Sequence, residues 1–236
     1  MWPFVDLETH SFLSPLYYNA LLGLVLLGKR IRIPLVCNPI NPTFHNYNMV
    51  FQSVVLLSLA CYTYIDVANT HDMVIFNFVG VSNRVADVHK TQSFPLVLYI
   101  FLVSKVFEWF DTVLLIVNNK KVIPLHWWHH STIGVAFYTG YFCSSLIWIG
   151  SLNSLIHIVM YLYYADFPGV RSVARYLTQL QIIQLFGGVC MNYVSFQYTT
   201  DPKYKFYSMI SLLICLSYGL MFVQFYMKRY SHKKKE

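Results

Sequence analysis

Apolar runs of about twenty residues, separated only by short polar breaks, constrain this chain more than any other feature. Charged residues make up 11% of its 236 positions, where a soluble domain carries about 25%. Hydrophobic residues reach 56% and aromatics 18%. A fold in water needs a polar surface, and this chain lacks the residues to build one. Its solvent is therefore expected to be lipid. A spanning helix takes about 20 mostly apolar residues. Seven segments qualify, near 12–28, 48–66, 95–117, 128–148, 150–166, 174–197 and 206–227. The expected fold is all-α: a polytopic membrane protein, a single domain over 1–236, built as a bundle of about seven transmembrane helices. The fourth and fifth are expected to meet in a tight turn near Gly150. Pro34, Pro39 and Pro42 break any helix after the first, and 67–94 is the longest connection.

The net charge of +7 sits in clusters between the apolar runs. That pattern orients a membrane protein and does not call for a nucleic-acid partner. One side receives Lys29, Arg30, Arg32, Lys120, Lys121, Arg171, Arg175, Lys228, Arg229, Lys233, Lys234 and Lys235. The other receives Arg84, Lys90, Lys203 and Lys205, and Lys105 falls inside a span. The basic side is therefore expected in the cytosol, with the N-terminus lumenal and the C-terminus cytosolic. Asp6 and Glu8 come before the first apolar run, and no small-residue cleavage site follows it, so no signal peptide is expected. The ending Lys233-Lys234-Lys235-Glu236 resembles the dilysine signal that returns membrane proteins to the endoplasmic reticulum. A basic cluster drawn to anionic lipid is the alternative. Cys37, Cys61, Cys143, Cys190 and Cys215 show no CxxC or metal-ligand spacing and read as free thiols.

Polar groups inside spans are costly and mark function. Four clusters stand out. Lys105, Glu108, Asp111 and Thr112 share an arc of about 120° on the third span. Lys105 and Glu108 alone would form a self-satisfied i,i+3 pair. His126, His129 and His130 open the fourth span within about 100°, a grouping suited to metal binding or to acid–base and nucleophilic chemistry. Asn153, His157, Met160, Tyr161 and Tyr164 share one face of the fifth, flanked by Tyr163. Thr178, Gln181 and Gln184 share one side of the sixth, where amides also serve as glue between helices.

Together these strings resemble the ELO family of very-long-chain fatty acid elongases. The pattern K-x-x-E-x-x-D-T is matched by Lys105, Glu108, Asp111 and Thr112, and H-x-x-H-H by His126, His129 and His130. N-x-x-x-H-x-x-M-Y-x-Y-Y is matched by Asn153, His157, Met160, Tyr161, Tyr163 and Tyr164, and T-x-x-Q-x-x-Q by Thr178, Gln181 and Gln184. The motifs cover roughly 95–190. Two departures stand at the entrance: Pro124, where many members carry an aromatic, and the run Asp166-Phe167-Pro168-Gly169.

The resemblance implies a condensing enzyme that joins acyl-CoA and malonyl-CoA into 3-ketoacyl-CoA, carbon dioxide and CoA. It implies a helical bundle around an acyl-chain tunnel, with no tightly bound cofactor or metal. No cysteine neighbours the His box, so His129 is the expected acyl acceptor, with His157 as base or second acyl contact. His126, His130, Lys105, Asp111 and Asn153 would position the thioester and stabilise oxyanion charge, and Glu108 would orient Lys105. Gln181 and Gln184 would line the path, and Lys120, Lys121, Arg171 and Arg175 would meet CoA phosphates or simply follow the positive-inside pattern. Lys121, where polyunsaturated-chain members tend to have Gln, and the Trp-Trp within the box point to saturated or monounsaturated chains. Implied partners are membrane lipid, a second copy in a homodimer, and the reductases and dehydratase of an elongation cycle.

Two rival classes remain at this stage. A di-iron membrane desaturase shares one H-x-x-H-H box but needs about eight His ligands. His10, His45, His71, His89 and His232 read as dispersed in loops and ends. A seven-span transporter would leave the ordered motifs unexplained.

Overall fold

The computed structural model describes residues 7–71, 93–141 and 146–230. Asp6, Arg84, His89, Lys90, Cys143, His232 and the terminal Lys233, Lys234, Lys235 and Glu236 lie outside the described residues. Among those described, every regular element is helical. Seven long helices form: α1 (Leu7–Arg30), α2 (Thr43–His71), α3 (Ser93–Val117), α4 (Pro124–Tyr141), α5 (Leu146–Tyr164), α6 (Ala174–Tyr198) and α7 (Pro202–Tyr230). A helical turn at Pro34–Cys37 and a 3-10 turn at Val170–Val173 complete the described regular elements. Among the described residues, three helices are long and apolar enough by length and composition to cross a membrane: Glu8–Arg30, Thr43–Asp66 and Pro202–Tyr230.

The apolar runs and the helices coincide except around Gly150. The expected turn there is wrong: Gly150 lies inside α5, and α4 already ends at Tyr141. Gly150 is small because Phe101 of α3 leans on it; an added Cβ would meet the Phe101 ring at 3.1 Å. α4 also starts four residues earlier than expected. Pro124 is its first residue, where proline's fixed φ favours helix and its missing N–H costs nothing. The whole His box is thereby helical.

Three helices end alike on the basic side. α1, α3 and α5 each close with paired bonds back to the last turn: Ile33 N to Gly28 O, Lys120 N to Leu115 O, and Phe167 N to Leu162 O. Arg32, Asn119 and Asp166 take the left-handed conformation at φ 61°, 57° and 59°. This is the Schellman cap, and it accounts for the Asp166-Phe167-Pro168-Gly169 run.

Packing closes a ring. α2 packs on α3, α3 on α4, α4 on α7, α7 on α6, α6 on α5, and α5 back on α2. α1 lies against α3 and α4. The α1–α4 approach is close: a Cβ on Gly134 would stand 2.6 Å from Ser14 Oγ. Trp127 Nε1 donates to Asn19 Oδ1 on α1 at 3.0 Å, and Trp128 Nε1 to Ser217 Oγ on α7 at 2.8 Å. The Trp-Trp pair thus holds α4 between two neighbours. At the opposite end, Glu8 of α1 accepts from Tyr207 and Lys203 of α7. Leu56, Ala60, Leu98, Phe101, Ile133, Phe137 and Tyr218 fill one side of the interior.

Candidate active site

A cavity of about 230 Å³ lies within the ring, lined, among the described residues, by α3 to α7 and the residues just before α4. Along α4 its wall runs from Ile123 to Gly140, about 25 Å at 1.5 Å per residue. One end is apolar and is walled by Ile149, Leu185 and Cys215. The other reaches Ala174, Arg229 and Tyr230 on the basic side. Glu108, Asp111, His126, His129, His130, Asn153, His157, Met160, Tyr161, Tyr164, Thr178, Gln181 and Gln184 all line it.

Three of these, Glu108, Asn153 and His157, form a closed cycle with Lys105 behind the wall. Lys105 Nζ donates to Glu108 Oε1 at 2.6 Å and to Asn153 Oδ1 at 3.1 Å. His157 Nδ1 stands 3.2 Å from Glu108 Oε1, and Asn153 Nδ2 stands 3.3 Å from His157 Nε2. Lysine can only donate, so Asn153 turns its oxygen to Lys105 and its NH₂ to His157. A carboxylate can only accept, so His157 carries its proton on Nδ1. The cycle fixes a neutral tautomer whose basic Nε2 meets a long, weak contact. All four side chains are buried, where an unpaired charge would be expensive.

A second chain joins Tyr18 of α1 to the His box. The Thr112 hydroxyl lies 2.9 Å from the Tyr18 hydroxyl and 2.8 Å from His126 Nε2. The His126 and His130 rings stand 4.2 Å apart. Asp111 is held from both sides: His45 Nε2 donates to Oδ1 at 2.8 Å, and the Tyr161 hydroxyl to Oδ2 at 2.6 Å. His129 lines the cavity with its ring 5.0 Å from that of Tyr218, and its imidazole has no hydrogen-bond partner among the described residues. His130 likewise lines the cavity, and its buried Nδ1 is unpartnered among the described residues.

The remaining candidates are spread out. Gln184 donates to the Ile149 carbonyl and Gln181 to Met160 Sδ, so both join α5 to α6 while lining the cavity. Lys105 and Thr112 stand behind the wall. Arg171 forks onto Asp166 at 2.6 and 2.8 Å on the surface, Arg175 donates to the Tyr226 hydroxyl, and neither lines this cavity, nor does Lys121. Tyr18, His45 and Arg229 were missed as site residues. His10 and His45 are not in loops: His10 lies in α1, and His45, in α2, grips Asp111. Among the described residues no three His, Cys, Asp or Glu side chains converge as a metal-binding group.

Comparison with known proteins bears on the whole chain. It is 36% identical to the very long chain fatty acid elongase 6 of Rattus norvegicus, over 58% of this chain and 56% of that protein. Identity with the Homo sapiens protein of the same name is 34%, over the same shares. Fatty acid elongase 3 of Trypanosoma cruzi (strain CL Brener) is 32% identical, over 55% of this chain and 47% of its own length. The chain spans about half the length of the curated relatives it matches. The model of the ELO: GNS1/SUR4 family matches residues 9–236, nearly the full length, and the chain belongs to that family.

Proposed function

We propose that this chain is the condensing enzyme of fatty acid elongation, with His129 as the acyl acceptor. The carrying observation is the uncommitted imidazole of His129 on the wall of a cavity with an apolar end, beside His126 bound to Thr112 and His157 bound to Glu108. His130, whose buried Nδ1 is also unpartnered among the described residues, is the second imidazole that the same test must separate from it. Relatives of this chain are named as fatty acid elongases. Imidazole is a competent nucleophile near neutral pH.

In the first step a His129 nitrogen attacks the thioester carbon of acyl-CoA and the C–S bond breaks. CoA leaves as the thiol, taking the imidazole proton, for which His157 Nε2 is the relay. In the second step malonyl-CoA loses its carboxylate as carbon dioxide, and the electron pair remains on the α-carbon. That carbon attacks the acyl carbonyl, the C–N bond breaks, and the imidazole regains a proton. The product is 3-ketoacyl-CoA. The Lys105–Glu108–His157–Asn153 cycle holds His157 in its tautomer, and Tyr18–Thr112 holds His126. The acyl tail occupies the cavity toward Cys215, with saturated or monounsaturated chains as substrates. On this reading all seven long helices span the endoplasmic reticulum membrane, the ring encloses a tunnel, and the basic end faces the cytosol. The 3-keto product then passes to reductases and a dehydratase.

The test is product formation. Purified protein receives labelled malonyl-CoA and a panel of acyl-CoAs, beside His129→Ala. Labelled 3-ketoacyl product from the parent and none from the variant is expected. No product from folded parent with any acyl-CoA would overturn the reading.

A further inference from the structure

A second cavity, of about 260 Å³, opens on the basic end between the start of α2 and the end of α3. It shares Asp111, His126 and Tyr164 with the first, so the two meet at the His box from different directions. Its other walls include Asn46, Leu114, Leu115 and Lys120. Asn46 is only 4% exposed, and its side-chain amide has no partner among the described residues. Asn46 lines the cavity, so its amide is free to pair with a ligand that supplies one. Lys120 is exposed at the lip, likewise without a side-chain partner. Lys29 nearby is spent on the carbonyls of Ile116 and Val117.

From lip to floor the cavity therefore presents a cation, apolar walls with one unpaired amide, and His126. That order suits a phosphate, an amide-bearing arm and a thioester. Resting on the elongase reading above, we infer that the second cavity receives the pantetheine arm of CoA thioesters while the first receives the acyl chain. The thioester then lies at the shared wall of Asp111, His126 and Tyr164. Separate compartments serve a two-step transfer. CoA leaves by its own port while the acyl chain stays seated, and malonyl-CoA enters by that same port.

The test needs no turnover. Pro42→Cys and Leu115→Cys, both on the wall of the second cavity and neither a proposed ligand contact, are made in the full chain in detergent. A small maleimide is added, and modification at each cysteine is read by peptide mass. Cys215, on the wall of the first cavity, serves as internal reference. Desulfo-CoA at about ten times its Kd should slow labelling at positions 42 and 115 about ten-fold by occupancy and leave Cys215 unchanged. Hexadecanoic acid should do the reverse. Unslowed labelling at both positions with desulfo-CoA, or equal protection of them by the fatty acid, would overturn the inference. If condensation activity is present in that case, only the arm's route is wrong. If activity is absent and neither ligand protects any of the three positions, the elongase reading falls with it.

Discussion

The ammonium of Lys105 sits 2.6 Å from Glu108 Oε1, one turn along α3, with both side chains almost wholly out of solvent. Glu108 Oε2 has no partner among the described residues, so the carboxylate depends on Lys105 and His157. Lys105→Met would leave that charge uncompensated, at about 3–5 kcal/mol. The pair Lys105→Met with Glu108→Leu removes both charges and should be less destabilised than the sum of the singles. Thermal unfolding of the three variants in detergent measures this; strict additivity would mean that the pair is not coupled.

His157 keeps its tautomer through Glu108 and Asn153. His157→Ala should lower kcat about 10²- to 10⁴-fold, the range for a lost acid–base group, and, since buried Glu108 loses a partner, should also lower the unfolding temperature. Steady-state kinetics on the purified variant decides. A change confined to KM would assign His157 to binding alone.

α1 carries Tyr18 to the site, and its seat is the contact of Gly134 with Ser14. Gly134→Ala should cost about 1–3 kcal/mol through overpacking and lower activity by displacing the Tyr18–Thr112–His126 chain. Adding Ser14→Gly should restore much of both, since the Ser14 hydroxyl makes no hydrogen bond among the described residues. Failure of that rescue would place the effect of Gly134 elsewhere.

Arg171 and Lys120 both belong to the basic end but differ in commitment. The Arg171–Asp166 pair is 76% and 63% exposed, and such pairs contribute about 0–1 kcal/mol. Arg171→Ala should leave stability and the KM for acyl-CoA near the parent's. Lys120→Ala should raise that KM several-fold through loss of a phosphate contact. The opposite ranking would move the phosphate site to Arg171.

Much of this was legible in the sequence for one reason. Helical periodicity assigns residues to a face, so Lys105, Glu108, Asp111 and Thr112 could be grouped, as could the three box histidines. Periodicity does not say which helix a face meets. His45 lies 66 positions from Asp111, and Tyr18 lies 94 from Thr112. Neither stands in a cluster, so neither could be assigned a partner. Gly150 misled because glycine marks turns and close packing alike, and only the position of Phe101 separates the two. Trp127 and Trp128 could likewise be given no partners from the sequence; the structure places them on Asn19 of α1 and Ser217 of α7.

The central claim, that His129 takes the acyl group, is tested most directly by the mass of the intact protein after exposure to acyl-CoA without malonyl-CoA. The account predicts one added acyl group, located at position 129 by peptide fragmentation, absent from His129→Ala and discharged when malonyl-CoA is added. An unmodified protein that still forms 3-ketoacyl product under matched conditions, or an adduct at another residue that malonyl-CoA discharges, would contradict it.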